Sequence, residues 1–265
     1  MEKKVVILPI DGYENAKMLL DVTRKLISEE GMDDLIAYIK VNDGIHNMDM
    51  GAPAIVASLK ALLAEKGITA GIFLDLKIFD VSATMVNVLK KYLSFAPDIV
   101  TVSASCSVAG IKKLREILPS TTKLAMVSVL TDISEAECLT RFGMSPGLKI
   151  FSDLFGIRTI YKELMVDEAS ESVEPFDFVV CSPKELPFLK ANLLDYGFIV
   201  PGIRDEWMKN PNEHQKRTTG ARRALEDGAT FLVMGSQLTK GNPSLLISAK
   251  ESRELTKKEI SFLYK

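Results

Sequence analysis

Short apolar runs rich in β-branched residues recur along the chain, each closed by polar residues or glycine and followed by a longer amphipathic stretch. Eight such runs read as parallel strands, at residues 5–10, 35–41, 70–76, 99–102, 123–130, 176–180, 198–200 and 231–234. The segments between them carry helical spacing. Ala16, Leu19, Leu20, Val22 and Leu26 repeat on one face, as do Ile55, Leu59, Leu62 and Leu63. Strand then helix, eight times over, predicts a (β/α)8 TIM barrel, an α/β fold, although an open doubly wound sheet gives a similar local pattern. The first strand–helix turn, Asp11-Gly12-Tyr13-Glu14-Asn15, has neither GxGxxG nor GxxxxGK[ST], which lowers the dinucleotide and P-loop readings. The one anomalous spacing, from Leu130 to Phe176, holds two helical stretches around Gly143 to Gly147.

Composition narrows the picture. With 265 residues, 47% hydrophobic and 26% charged, the chain can bury a large core, and disorder is excluded. Gly and Pro are scattered without a linker, so residues 1–265 are expected to form one barrel domain. A formal net charge of -2 gives no reason to expect nucleic-acid binding. The longest stretch free of Asp, Glu, Lys and Arg, residues 99–111, contains three Ser and a Gly and is too short to span a membrane. Only residues 5–10 separate Lys4 from Asp11, too few for the apolar core of a secretory signal, and a cytoplasmic protein is expected. Cys106, Cys138 and Cys181 are widely spaced, which argues against a disulfide framework. His46 and His214, the only histidines, form no metal-ligand pattern, so no metal is expected. Cys106 has no matching His and reads as a small buried residue rather than a nucleophile.

In barrels of this kind chemistry collects at the C-terminal ends of the strands. Asp11 ends the first run, Lys40 lies near the end of the second, Asp75 and Lys77 close the third, and Asp80 follows at once. Asp75 and Lys77 are two apart, so on a regular strand they share a face, about 6.5–7 Å apart. Leu74 and Leu76 would then face the helices, and both charges the barrel interior. Ionised groups there are costly unless paired, and an alternation of Lys40, Asp75, Lys77 and Asp80 would supply the pairing. The same residues could also form a purely structural ion-pair network.

Phe73-Leu74-Asp75-Leu76-Lys77-Ile78-Phe79-Asp80-Val81-Ser82-Ala83-Thr84 resembles the DxKxxD signature of the orotidine 5'-monophosphate decarboxylase family, with its Thr four residues on. Ile39-Lys40-Val41, Val129-Leu130-Thr131, Pro201-Gly202-Ile203-Arg204 and Val233-Met234-Gly235 are similar to further family segments. The resemblance implies a (β/α)8 homodimer that converts orotidine monophosphate to uridine monophosphate and CO2 without cofactor or metal. Lys77 would donate the proton to C6 of the pyrimidine, and Asp75 would lie beside the substrate carboxylate. Asp80 and Thr84 would reach into the partner's site, making the sites shared, while Lys40 and Asp11 would contact ribose hydroxyls.

Several family positions are not met. Ser236 stands where a phosphate-binding Arg follows Gly235, and Ser103 where many members have His. Asp132 replaces a Ser that contacts the pyrimidine amide, and Phe79 and Ser82 replace a frequent His and Pro. Ser cannot supply the charge of Arg. The remaining phosphate candidates are Gln215, backbone N–H groups around Gly202 and Gly235, and the cations Lys240 or Arg217. Two other readings stay open. A related phosphosugar enzyme is disfavoured by Lys40, since those relatives carry an acidic residue there with Mg2+ nearby; an inactive nucleotide-binding homologue is suggested by Ser236 and Asp132.

Overall fold

The computed structural model describes residues 4–46, 49–165, 173–208 and 218–264. All eight apolar runs form parallel strands: β1 (Val6–Pro9), β2 (Ile36–Val41), β3 (Gly71–Ile78), β4 (Ile99–Ser103), β5 (Lys123–Val127), β6 (Phe178–Val180), β7 (Gly197–Val200) and β8 (Phe231–Val233). Each pairs with the next, and β1 pairs with β8, closing the barrel. An open sheet is thereby excluded.

Helices fill the connections. After β1 come α1 (Ala16–Ile27) and a single turn, α2 (Met32–Leu35); α3 (Ala52–Glu65), α4 (Ser82–Leu93) and α5 (Val108–Ile117) follow β2, β3 and β4. The long β5–β6 connection holds α6 (Glu135–Phe142) and α7 (Pro146–Met165), the helix pair expected there. Beyond β6 lie α8 (Leu186–Asn192), α9 (Ala221–Glu226) after β7, and α10 (Ser236–Thr239) and α11 (Ala249–Ile260) after β8.

Local chemistry explains the helix ends. Asn15 caps α1 by accepting the Met18 N–H at 2.8 Å, and Arg24 and Lys25 sit in the last turn, where cations suit the helix dipole. The apolar stripe buries Ala16, Leu19 and Leu26. Ser134 caps α6, and Gly143, at φ 69°, ends it in the left-handed conformation that favours glycine. On α7, Asp153 accepts from Ser128 at 2.5 Å and from Lys149 at 2.6 Å, tying the helix pair to the exit of β5.

Two apolar layers result. Outward-facing strand residues such as Leu8, Ile39, Leu74 and Val100 pack with the helices in one large core. A second cluster, Ile7, Phe73, Ile99, Ala125 and Ile199, fills the barrel together with Tyr38, Phe178 and Phe231. The Phe231 ring stands edge-on to Tyr38 at 5.1 Å and to Phe178 at 5.6 Å. Glycine makes room for these rings. A Cβ at Gly197 would lie 2.5 Å from Phe178, and one at Gly71 would lie 2.7 Å from Tyr38. The barrel is therefore plugged at its N-terminal end, which leaves the C-terminal mouth for ligands.

Strand ends depart from expectation by two residues or more at β3, β5 and β6. β5 stops at Val127 rather than Leu130, where Ser128 donates to Asp153 of α7, and β6 starts at Phe178 rather than Phe176. β3 runs on to Ile78 through an irregularity: Leu74 pairs with Val100 but Ile78 with Val102, so β3 uses four residues where β4 uses two. Asp75, Leu76 and Lys77 occupy that bulge. Among the described residues no helix is long and apolar enough to cross a membrane.

Candidate active site

The bulge decides the site. Lys77 adopts φ 45°, a left-handed backbone that costs a non-glycine residue about 1–3 kcal/mol and persists only where its surroundings enforce it. Leu74 is buried among the helices and Leu76 packs against them, while Asp75 and Lys77 line the barrel mouth as the alternation required. At the bulge, Lys77 Nζ lies 2.8 Å from Asp75 Oδ2.

The charges form a chain. Lys40 Nζ lies 2.8 Å from Asp11 Oδ2 and 3.3 Å from Asp75 Oδ2, so the order is Asp11, Lys40, Asp75, Lys77. Two carboxylates and two ammonium groups balance formally to zero. Lys40 is the most enclosed, with its side chain 11% exposed; that of Lys77 is 38% exposed. Burial pushes the Asp75 carboxyl up, but Lys40, Lys77 and the Thr101 hydroxyl together outweigh it and hold the group below the ordinary aspartate range. Its Oδ1 accepts from Thr101 at 2.9 Å, and its main-chain carbonyl accepts from Asn42 Nδ2 at 2.8 Å. Asp11 is placed by its neighbour, since the Gly12 N–H donates to Asp43 at 2.8 Å.

Lys40, Asp75 and Lys77 line one side of a cavity of about 190 Å3; Phe73, Val127, Ile199 and Val233 supply apolar wall. Apolar walls with a few convergent polar groups are typical of small-molecule sites. A larger depression of about 680 Å3 lies outside the barrel between α6, α7 and α8, away from this network.

The other expected residues fall differently. Asp80 is not part of the charge chain: among the described residues it makes no ion pair, and its carboxylate accepts from the Val81 N–H at 2.7 Å. The strand ends at Ile78, and Asp80 lies beyond it in a second depression with Phe79, Val81, Ser82 and Ser105 to Ser107. Thr84, partly buried, lies in the first turn of α4 just beyond. Asp132 is exposed, and Leu130 and Thr131 line the cavity in its stead. Gly202, at φ 79°, and Gly235 follow β7 and β8, and Ser236 opens α10. Gln215, with His214, Lys216 and Arg217, lies outside the described residues. Trp207 donates to Ser252 of α11 at 2.9 Å. Cys106 is buried, its thiol pushed up by burial, which weakens it as a nucleophile.

Sequence reasoning missed Thr101 and Asn42. Thr101 had a signal, because it is polar on the inward face of β4 between Ile99 and Ser103; Asn42 had none, since its role depends on where the bulge places the Asp75 carbonyl.

The closed parallel barrel and the charge network at its mouth define a (β/α)8-barrel enzyme. The chain belongs to the Orotidine 5'-phosphate decarboxylase / HUMPS family, whose model matches residues 20–245. It is similar to the orotidine 5'-phosphate decarboxylase of Streptococcus pneumoniae serotype 19F (strain G54), with 30% identity over 240 residues, 90% of each chain. The enzyme of the same name from Streptococcus sanguinis (strain SK36) is 27% identical over 245 residues, covering 91% of this chain and 93% of that one. Among solved structures, orotidine 5'-phosphate decarboxylase from Lactobacillus acidophilus superposes with a TM-score of 0.63 at 23% identity, covering 97% of this chain and 98% of that one. The last likeness concerns the fold.

Proposed function

We propose that this chain, acting as a single barrel domain, is a carboxy-lyase that converts orotidine 5'-monophosphate to uridine 5'-monophosphate and CO2 for pyrimidine nucleotide synthesis. The observation that carries the reading is the Lys77 ammonium, held 2.8 Å from Asp75 on a strained backbone at the barrel mouth. The bond from C6 to the carboxylate breaks, CO2 leaves, and the electron pair stays on C6. A fixed cation beside that carbon stabilises the developing charge more in the transition state than in the ground state. Lys77 then transfers a proton to C6 and is reprotonated from water. Asp75 keeps the ammonium aimed, and Lys40 with Asp11 offers a donor and an acceptor to ribose hydroxyls.

Family membership and the named activity of the relatives support the substrate. Both lysines already neutralise Asp11 and Asp75, the service a divalent cation would otherwise give, which favours a metal- and cofactor-independent reaction. The phosphate falls to backbone N–H groups near Gly202 and Gly235, with Ser236 and Gln215 as uncharged partners and Asp132 at the rim near the base. The three cysteines are free and buried, which suits the reducing cytoplasm. The test is loss of orotidine absorbance with purified protein, with and without EDTA. Turnover that resists EDTA supports the reading; its absence at high enzyme concentration removes it, and EDTA-sensitive turnover removes the metal-free mechanism.

The active unit is a homodimer with shared sites. Asp80 is flanked by Phe79, 68% exposed, and Val81, 69% exposed, an apolar rim around a polar group that suits burial against a second copy carrying Asp80 and Thr84 into the neighbouring cavity. Phe79→Asp is expected to lower dimer affinity by about 2 kcal/mol or more, by placing charge in an apolar contact. Sedimentation should show monomer at concentrations where the parent is dimeric, with activity falling in parallel. A monomeric variant with full activity would refute the shared site.

A further inference from the structure

The conformation of Lys77 is held from the next strand. Thr101, on β4 and fully buried, accepts the Lys77 backbone N–H on Oγ1 at 2.8 Å and donates the same hydroxyl to Asp75 Oδ1 at 2.9 Å. The direction of both bonds is fixed. An ionised carboxylate only accepts, so the single hydroxyl proton goes to Asp75, and a lone pair is left for the N–H. One buried hydroxyl thus clasps both ends of the bulge at the point where the β3–β4 register slips. It also sets the carboxylate's rotation: Lys40 from β2 and Lys77 both meet Oδ2, while Thr101 meets Oδ1.

We propose that Thr101 is a positioning residue, whose hydroxyl keeps Lys77 in its left-handed backbone and Asp75 in one orientation so that the Lys77 ammonium points into the cavity. Its kinetic consequence rests on the decarboxylase reading above; its geometric consequence does not. A buried threonine that merely completes the core would be replaced by valine, nearly its isostere, at little cost to catalysis. A positioning threonine would not, because valine leaves the Lys77 N–H and one carboxylate oxygen without their partner.

The experiment compares Thr101→Val and Thr101→Ser with the parent, reading turnover of orotidine monophosphate and hydrogen exchange at the Lys77 amide by NMR. Thr101→Val is expected to lower kcat about 10- to 100-fold with KM changed no more than about twofold, the effect of one lost buried hydrogen bond to each reacting partner. Thr101→Ser, which keeps the hydroxyl, should recover kcat to within about threefold. The Lys77 amide should exchange slowly in the parent and in Thr101→Ser, and about tenfold or more faster in Thr101→Val. Unchanged kcat in Thr101→Val, a loss that Thr101→Ser shares, or equal amide protection in all three proteins overturns the proposal. If Thr101→Val does not fold, Thr101→Ala is read in the same way. If the parent does not decarboxylate orotidine monophosphate, the decarboxylase reading falls, and amide exchange alone decides the role of Thr101.

Discussion

Under the proposed reaction, Lys77→Ala is expected to lower kcat by about 10^4-fold or more, because it would remove both the cation facing the developing carbanion and the proton that quenches it. Stability should change little. The Lys77 side chain is 38% exposed, its pairing with Asp75 is backed by Lys40, and alanine adds no bulk. Lys77→Arg separates the two duties. A guanidinium keeps the charge but does not release its proton near neutral pH, and its planar fork does not fit where a compact ammonium sits. It should bind nucleotide with near-parental affinity and turn over almost as poorly as the alanine variant. Single-turnover kinetics with product binding measured by calorimetry would check this. Retention of most activity in Lys77→Ala would remove Lys77 from the chemistry.

Lys40→Met should damage the fold as well as the reaction. Lys40 bridges Asp11 and Asp75 with its own side chain 11% exposed, and an apolar replacement leaves one buried and one half-exposed carboxylate short of a cation. Breaking a buried pair from one side typically costs about 3–5 kcal/mol; here about 2–4 kcal/mol is expected, because Lys77 still serves Asp75 and Asp11 is partly in water. The pH dependence has a definite sign. In the parent the Asp75 carboxyl is depressed, so its contribution is present above the unfolded aspartate value and is lost as pH falls through the folded one. Without Lys40, burial meets less opposition and that acid loss moves to higher pH. Urea melts between neutral and acidic pH would show it. Identical melts for Lys40→Met and the parent would mean that the bridge contributes nothing to the fold.

Much of this was legible in the chain because parallel strands covered on both faces are continuous apolar runs, and their order along the sequence is also their order around the barrel. Asp75 and Lys77 could be placed inside since Leu74 and Leu76 had to face the helices. The distance between them could not. Nor could the left-handed Lys77 beside it, a conformation that its leucine-rich context does not announce and that is met by a hydroxyl from a strand 24 residues further on. Asp80 illustrates the converse. The DxKxxD spacing suggested one continuous charge chain, but the strand ends between Lys77 and Asp80, so the last acid belongs to a different surface. The Asp205–Gln237 contact was equally hidden: the Asp205 N–H donates to Gln237 at 3.1 Å, joining the loop after β7 to the helix after β8 through residues 32 apart.

Among the described residues, the aromatic plug of Tyr38, Phe178 and Phe231 closes the barrel's lower end and leaves the strand ends as the door. Whatever enters by the strand ends must leave by them. For the reaction proposed here, carbon dioxide and the nucleotide would share that exit. Phe231→Ala would remove the ring on which both Tyr38 and Phe178 lean, without touching the Phe73, Val127, Ile199 and Val233 walls of the cavity itself.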